Sequence, residues 1–445
     1  MIKLPLFVQR EDYNLFSIKN ESKKIKLIVF ITCLVFLLIN IFSIIRYGNS
    51  TLLGSLTNPD NDDVKFIRSA WNLVKDGNYS YHNVGRATVF MMPGLTFTLA
   101  FFVKIFGNFG GITAMRFFQA IIQTGSIYLV FLIGRKIFNS KVGAAAIIIN
   151  VLCIADYWVS NLILTESMFK FFVLLLVYFS IYAIEEMSTK YYILGGIAWG
   201  IGTLYRPTIA TFPIIILIMW LFRKYKFRDM VKYTAIVGLT FCLILSPWWI
   251  RNYSIFHKFI PLTLATGNPM LQGTYINYDQ STKATDGLDY SQFKYPAGNE
   301  MDNNTAEMAI SRYRLKNLVP KQPFKFLAWY TVGKAYYQLR WPFIWTEFLG
   351  VKYWMIALVH YFILIFALLG IIMYFRDKNR YKMGTVVFAT LVYFIAAYLP
   401  FYAFERYFYP GVPFAILFAA SAVIKINDRY EITKKLKNIT KIAAN

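Results

Sequence analysis

Ile25-Lys-Leu-Ile-Val-Phe-Ile-Thr-Cys-Leu-Val-Phe-Leu-Leu-Ile-Asn-Ile-Phe-Ser-Ile-Ile45 carries one charge, Lys26, and this run decides the solvent in which the chain folds. A helix needs about 20 mainly apolar residues to cross the hydrocarbon core, because nothing there bonds an open backbone. Residues 355–375 and 234–250 come near or exceed that length. The run at 25–45 is too long for a signal-peptide core, and no clear small-residue cleavage site follows, so it reads as the first transmembrane helix. The whole chain agrees: of 445 residues, 57% are apolar, 19% aromatic and only 16% charged, which describes a polytopic all-α membrane protein.

The formal charge of +24 does not point to nucleic acid, since the basic residues gather in short segments between spans. Residues 1–26, 223–232, 376–382 and 425–441 hold 21 Lys and Arg in 60 residues, whereas 46–92 and 251–352 together hold 17 in 149. That bias places both termini in the cytoplasm and the two long polar loops outside, in a plasma or inner membrane. Cys33, Cys153 and Cys242 all lie in apolar segments and read as core residues.

The chain divides into a basic N-terminus (1–24), a transmembrane module (25–250) containing the first outer loop (46–92), a second outer loop (251–350), C-terminal helices (351–424) and a basic tail (425–445). The apolar segments suggest a bundle of about 10–11 transmembrane segments. One count does not close. Between loop 46–92 and the basic turn 223–232 the chain must cross an odd number of times, yet six apolar segments lie there: 93–107, 114–133, 142–160, 165–186, 191–205 and 207–222. The short pair joined at Arg206-Pro207 is read as one kinked helix, because proline removes a backbone bond. The basic turn with Arg135, Lys136 and Lys141 argues against this, since it is then left outside. The side of Glu166 depends on the answer. In the second loop, 303–318 and 324–339 read as helices broken by Pro320 and Pro323, with Trp, Tyr and Lys suited to the membrane–water interface. No internal repeat supports an inverted-repeat transporter.

In the first loop, Asn58-Pro-Asp-Asn-Asp-Asp63 reads as a turn entering a helix with Asp60 as N-cap. Ile67, Ala70, Trp71 and Val74 then fall at helical spacing, giving an amphipathic helix on the outer leaflet. Asp62 lies roughly 140° from the apolar stripe and Asp63 near its edge, at about 100° per residue. By spacing alone these acids serve equally well as ordinary complements of the helix dipole.

The wider pattern resembles the GT-C membrane glycosyltransferases of the protein-mannosyltransferase and aminoarabinose-transferase group (glycosyltransferase family 39). It comprises Asp62-Asp-x-x-Phe66, then Gly77 and Tyr79, Arg86-Ala-Thr-Val-Phe-Met-Met-Pro-Gly94, Leu164-Thr-Glu166, Leu204-Tyr-Arg-Pro207, Pro247-Trp-Trp-Ile-Arg-Asn-Tyr253, Thr266-Gly-Asn-Pro269 and Glu405-Arg-Tyr407. The resemblance runs from about 55 to 415 and rests on order and spacing. It implies a GT-C helical bundle whose two large outer loops carry juxtamembrane helices, with seven spans before the second loop, which agrees with counting 191–222 once. Two departures stand out: Asp63 replaces the usual Glu, and Met91-Met92 stand where the aminoarabinose enzymes have Glu-Lys.

The resemblance further implies transfer of a sugar from a polyprenyl phosphate to a hydroxyl of a glycan, lipid or protein acceptor on the outer face, with inversion at the anomeric carbon. A hydroxyl is a poor nucleophile, so a carboxylate should take its proton; Asp62 is the candidate base and Asp63 its neighbour, raising its proton affinity or orienting it. The leaving phosphate needs positive charge rather than an acid. Arg251 and Arg406 could supply it, against the plainer readings of a snorkelling helix-end arginine and a Glu405–Arg406 ion pair. Arg206 and Glu166 are further site candidates, since charge near the membrane interior is costly unless used or paired. His82, His257 and His360 form no metal-ligand motif, so no cofactor is expected beyond a possible divalent ion. The competing readings are an O-antigen-type polymerase or ligase and a lipid-linked-sugar transporter.

Overall fold

The computed structural model describes residues 15–58, 60–294 and 299–430. Most of the basic N-terminus (1–14), Pro59 of the first-loop turn and most of the basic tail (431–445) lie outside the described residues. The helices are, in order, α1 (Lys23–Tyr47), α2 (Asp62–Asp76), α3 (Gly94–Ile137), α4 (Ser140–Val151), α5 (Ile154–Asn161), α6 (Glu166–Glu186), α7 (Thr189–Tyr205), α8 (Pro213–Phe222), α9 (Phe227–Phe256), α10 (Gly267–Gly273), α11 (Glu300–Leu318), α12 (Pro323–Ala328), α13 (Lys334–Leu339), α14 (Tyr353–Arg376), α15 (Gly384–Ala396), α16 (Glu405–Phe408) and α17 (Val412–Tyr430). Among the described residues there is no strand, only one isolated bridge between Phe348 and Val351. Among the described residues six helices are long and apolar enough to cross a membrane, and the pair α4–α5, bent by 62°, makes a seventh candidate.

The ends of the helices pair the apolar segments differently from the sequence expectation. Tyr192 at the start of α7 accepts a hydrogen bond from the Trp220 indole at the end of α8 (2.6 Å), so these two helices run antiparallel. Residues 191–205 and 207–222 therefore hold two antiparallel helices, not one kinked helix. The segment that folds back on its successor is 93–107. Gly107 takes φ +73°, which only glycine adopts freely, and the chain reverses there. A Cβ on Gly111 would sit 2.6 Å from the Val103 Cα, so a glycine is needed where the two arms touch. Both ends of that arm stay beside the first loop: Gly94 abuts the Leu204 carbonyl, and the Trp71 indole donates to the Asn108 carbonyl at 3.3 Å.

With that arm removed, the basic turn after α3 falls on the face opposite the first loop. Arg135 pairs with Glu21 at 3.5 Å, and Lys136 with Glu185 at 2.5 Å. Tyr381, from the basic turn between α14 and α15, reaches the same Glu185. Two shorter apolar segments, 207–222 with α8 and 384–396 with α15, accompany the candidate spans among the described residues.

Locally, α2 begins at Asp62 after Asn61, not after Asp60, and ends at Gly77 with φ +67°. Its apolar side is buried against α3 through Phe66, Ile67 and Ala70. In the second loop, α10 to α13 fold back over the segment between α15 and α16. The Tyr402 N–H donates to the Pro269 carbonyl (2.7 Å), and Tyr278 bonds both the N–H and the carbonyl of Ala403 (2.7 and 2.6 Å). The loop thereby fixes the backbone that delivers α16.

Candidate functional site

Four charged side chains from four separate parts of the chain meet on the first-loop face. Asp62 opens α2, and Glu166 opens α6. Arg206 follows α7, where a residue before proline is forced out of helix into extended backbone (φ −145°, ψ 123°). Arg406 comes from α16. Asp62 Oδ2 accepts from Arg406 at 2.8 Å. The same guanidinium donates through Nε to Glu166, and Glu166 also pairs with Arg206 at 3.0 Å. The order is carboxylate, guanidinium, carboxylate, guanidinium, and the formal charges cancel.

Glu166 has no exposed side-chain surface, whereas 38% of the Asp62 side chain is accessible. A buried carboxylate is tolerated only when paired and bonded, and two guanidiniums meet that need. Asp62 is the member that still faces water.

The two neighbouring acids of the first loop do different work. Burial alone would raise the Asp62 carboxyl, but Arg406 and the Tyr81 hydroxyl, which donates to Oδ1 at 2.8 Å, outweigh it and hold the group below the usual carboxylate value. Asp63 is wholly buried and accepts the Leu53 and Val64 N–H groups at 2.6 and 2.8 Å. Burial pushes its carboxyl upward, and the charge of Asp62 adds to that. Asp63 anchors the loop segment before α2 through these two bonds.

The remaining candidates lie apart from this cluster. Arg251 is stacked on Trp248 (5.1 Å), Tyr79 and Phe256, and it donates to the Thr88 carbonyl at 2.7 Å. It braces the first loop. Glu405 points away from its neighbour Arg406 and accepts from the Trp345 indole at 3.0 Å, so no local Glu405–Arg406 pair forms.

Sequence reasoning missed Tyr81, whose phenol holds Asp62. It also missed Glu300, which ties the two loops through His82 (2.8 Å) and Thr88 (2.6 Å). Both partners are remote in sequence, so no spacing rule could find them.

The donor set does not fit a divalent cation. Guanidinium and phenol donors already occupy both oxygens of Asp62, and both oxygens of Asp63 face backbone N–H groups. Among the described residues no three His, Cys, Asp or Glu side chains gather as a ligand set.

Residues 91–250 match the family model described as dolichyl-phosphate-mannose-protein mannosyltransferase. No curated protein matches the sequence. Among solved structures the chain is similar to the oligosaccharyltransferase AglB of Archaeoglobus fulgidus in complex with an inhibitory peptide and a dolichol-phosphate (14% identity, TM-score 0.55, covering 94% of this chain and 52% of that one). The A. fulgidus enzyme tethered to an acceptor peptide is similar at 15% identity and TM-score 0.57, with 94% and 51% covered. ArnT from Cupriavidus metallidurans bound to undecaprenyl phosphate matches more loosely (12% identity, TM-score 0.43, 90% and 78% covered). The chain spans about half the length of the archaeal enzymes. Its architecture is thus the all-helical GT-C fold of a multi-pass membrane protein.

Proposed function

We propose that this chain is a glycosyltransferase that moves a sugar from a polyprenyl phosphate to an acceptor hydroxyl, with inversion, at the Asp62–Arg406–Glu166–Arg206 cluster. The observation that carries the reading is a water-accessible carboxylate held directly on a buried arginine. The mannosyltransferase match and the fold shared with enzymes crystallised with dolichol-phosphate and acceptor peptide support the donor class.

Each side chain has a distinct task. The leaving phosphate is already a stable anion, so it needs the guanidiniums of Arg406 and Arg206 and no proton. When the phosphate draws on Arg406, Asp62 loses part of its counter-charge and its proton affinity rises. The base therefore strengthens when donor is bound. Asp62 takes the acceptor proton as oxygen bonds the anomeric carbon and the carbon–phosphate oxygen bond breaks on the opposite face, which inverts the centre. Tyr81 keeps the carboxylate aimed. The face is assigned as outer because the basic turns lie on the other one.

The test is transfer in vesicles supplied with synthetic polyprenyl-phosphate sugars and lipid, glycan or peptide acceptors. Asp62→Asn should lose at least about 100-fold in turnover, the span that a positioned base contributes. Transfer by the substituted protein at the native rate would falsify the mechanism.

A further inference from the structure

One helical turn below the cluster lies a second polar tier that the reaction above does not use. Lys170 follows Glu166 by one turn on α6, and Tyr409 follows Arg406 by three residues, so the same two segments supply both tiers. Lys170 Nζ donates to Asp156 at 2.7 Å and to the Tyr409 hydroxyl at 2.9 Å. That hydroxyl donates to Asp156 at 2.5 Å and accepts from the Gln123 amide at 2.9 Å. Asn150 closes the other oxygen of Asp156 from across the α4–α5 bend. Asp156, Lys170, Tyr409, Gln123 and Asn150 are all at least nine-tenths buried.

A buried ion pair is a poor source of net stability, because desolvation offsets the attraction. Its geometric effect is stronger. Every polar atom of Lys170 and Asp156 has one partner set, so rotating α6 or the 409–411 turn by a few tens of degrees would leave a buried charge unpaired. The segments bearing Glu166 and Arg406 are thus fixed against each other in rotation.

We propose that Asp156, Lys170 and Tyr409 are positioning residues that set the register of α6 against α16 and so hold the Arg406 guanidinium on Asp62. The inference rests on the function proposed above for its kinetic readout and stands alone in its structural one.

The test uses the full chain in lipid nanodiscs. Tyr409→Phe keeps both charges and the ring packing while removing the bridging hydroxyl; Gln123→Leu weakens the same hydroxyl from the side. Each should lower turnover, Tyr409→Phe by about 10-fold, the scale of coupling through a packed network. The acid limb of the pH profile should move to higher pH, because Asp62 is faced by Arg406, Tyr81, Lys65 and Asp63 and loses most when Arg406 shifts. Tyr374→Phe, which removes a phenol bond at the opposite face (2.7 Å), should cost comparable thermal stability and move neither readout. Independently, the melting losses of Tyr409→Phe and Arg406→Lys should be less than additive in the double variant. Additive melting losses with an unmoved acid limb would overturn the proposal. If the native chain transferred no sugar, the functional reading would fall and the melting cycle alone would decide this one.

Discussion

Replacing Glu166 with Gln separates the cluster's structural work from its chemistry. Glu166 holds Arg206 at 3.0 Å and the Nε of Arg406 in a site with no exposed surface. Breaking a buried pair costs about 3–5 kcal/mol, since the partner is left charged and dry. Both guanidiniums donate to Oε1, so the Gln carbonyl can still accept from them, recovering about 1.5–3 kcal/mol, and the net loss should be about 2 kcal/mol. At roughly 2 °C per kcal/mol for a large domain, the melting midpoint should fall by about 4 °C. The cluster's formal charge also rises from zero to one. A unit charge at roughly 6 Å with an effective dielectric of about 20 attracts by about 3 kcal/mol, and solvent at the Asp62 end should halve that. Polyprenyl phosphate should therefore bind about 10-fold tighter. Turnover should drop about 100-fold, because a neutral acceptor holds Arg406 less firmly and small misplacements cost that much. Nanodisc melting, titration of polyprenyl phosphate by tryptophan fluorescence, and the vesicle assay report the three effects. An unchanged melting point together with weaker phosphate binding would refute the view that Glu166 holds two phosphate-directed arginines.

Asp63→Asn should destabilise the first loop by about 1–3 kcal/mol, seen as faster hydrogen exchange at 53–64, because an amide can accept only one of the two N–H groups and its NH2 would face the other. Asp62 has a depressed pKa, so its pairing stabilises the protein fully above the ordinary value of 3.8 and is lost as pH falls through the lower, folded one. The acid limb of activity should accordingly lie below about 4, and Arg406→Gln should move it upward in a pH–rate profile. Arg251→Met should lower the melting point while leaving phosphate affinity within about 2-fold, since its bonds go to the backbone of the first loop. Glu300 also lies below its usual value of 4.5: burial would raise it, and His82 and Thr88 overcome that. The tie between the loops should hold above 4.5 and fail as pH falls through the lower value, read as rising exchange at 82–90.

The sequence by itself determined the solvent, the helical class, the two long polar loops and the amphipathic course of α2, because each follows from local composition and period. It also separated Asp62 from Asp63: one carboxylate came out facing water and the other buried, as their angles around the helix require. It left open which apolar segment is incomplete, with the pair at Arg206-Pro207 as its preference. The pair at Arg206-Pro207 and the arm at 93–107 look alike in hydropathy, and only the reversal at Gly107, where two backbones touch, tells them apart. Nor could it bring Asp62, Glu166, Arg206 and Arg406 together, or show that Glu405 turns to Trp345. Those are contacts between residues 40 to 344 positions apart, selected by which charges can be paired once the bilayer removes water, and tertiary packing alone makes that selection.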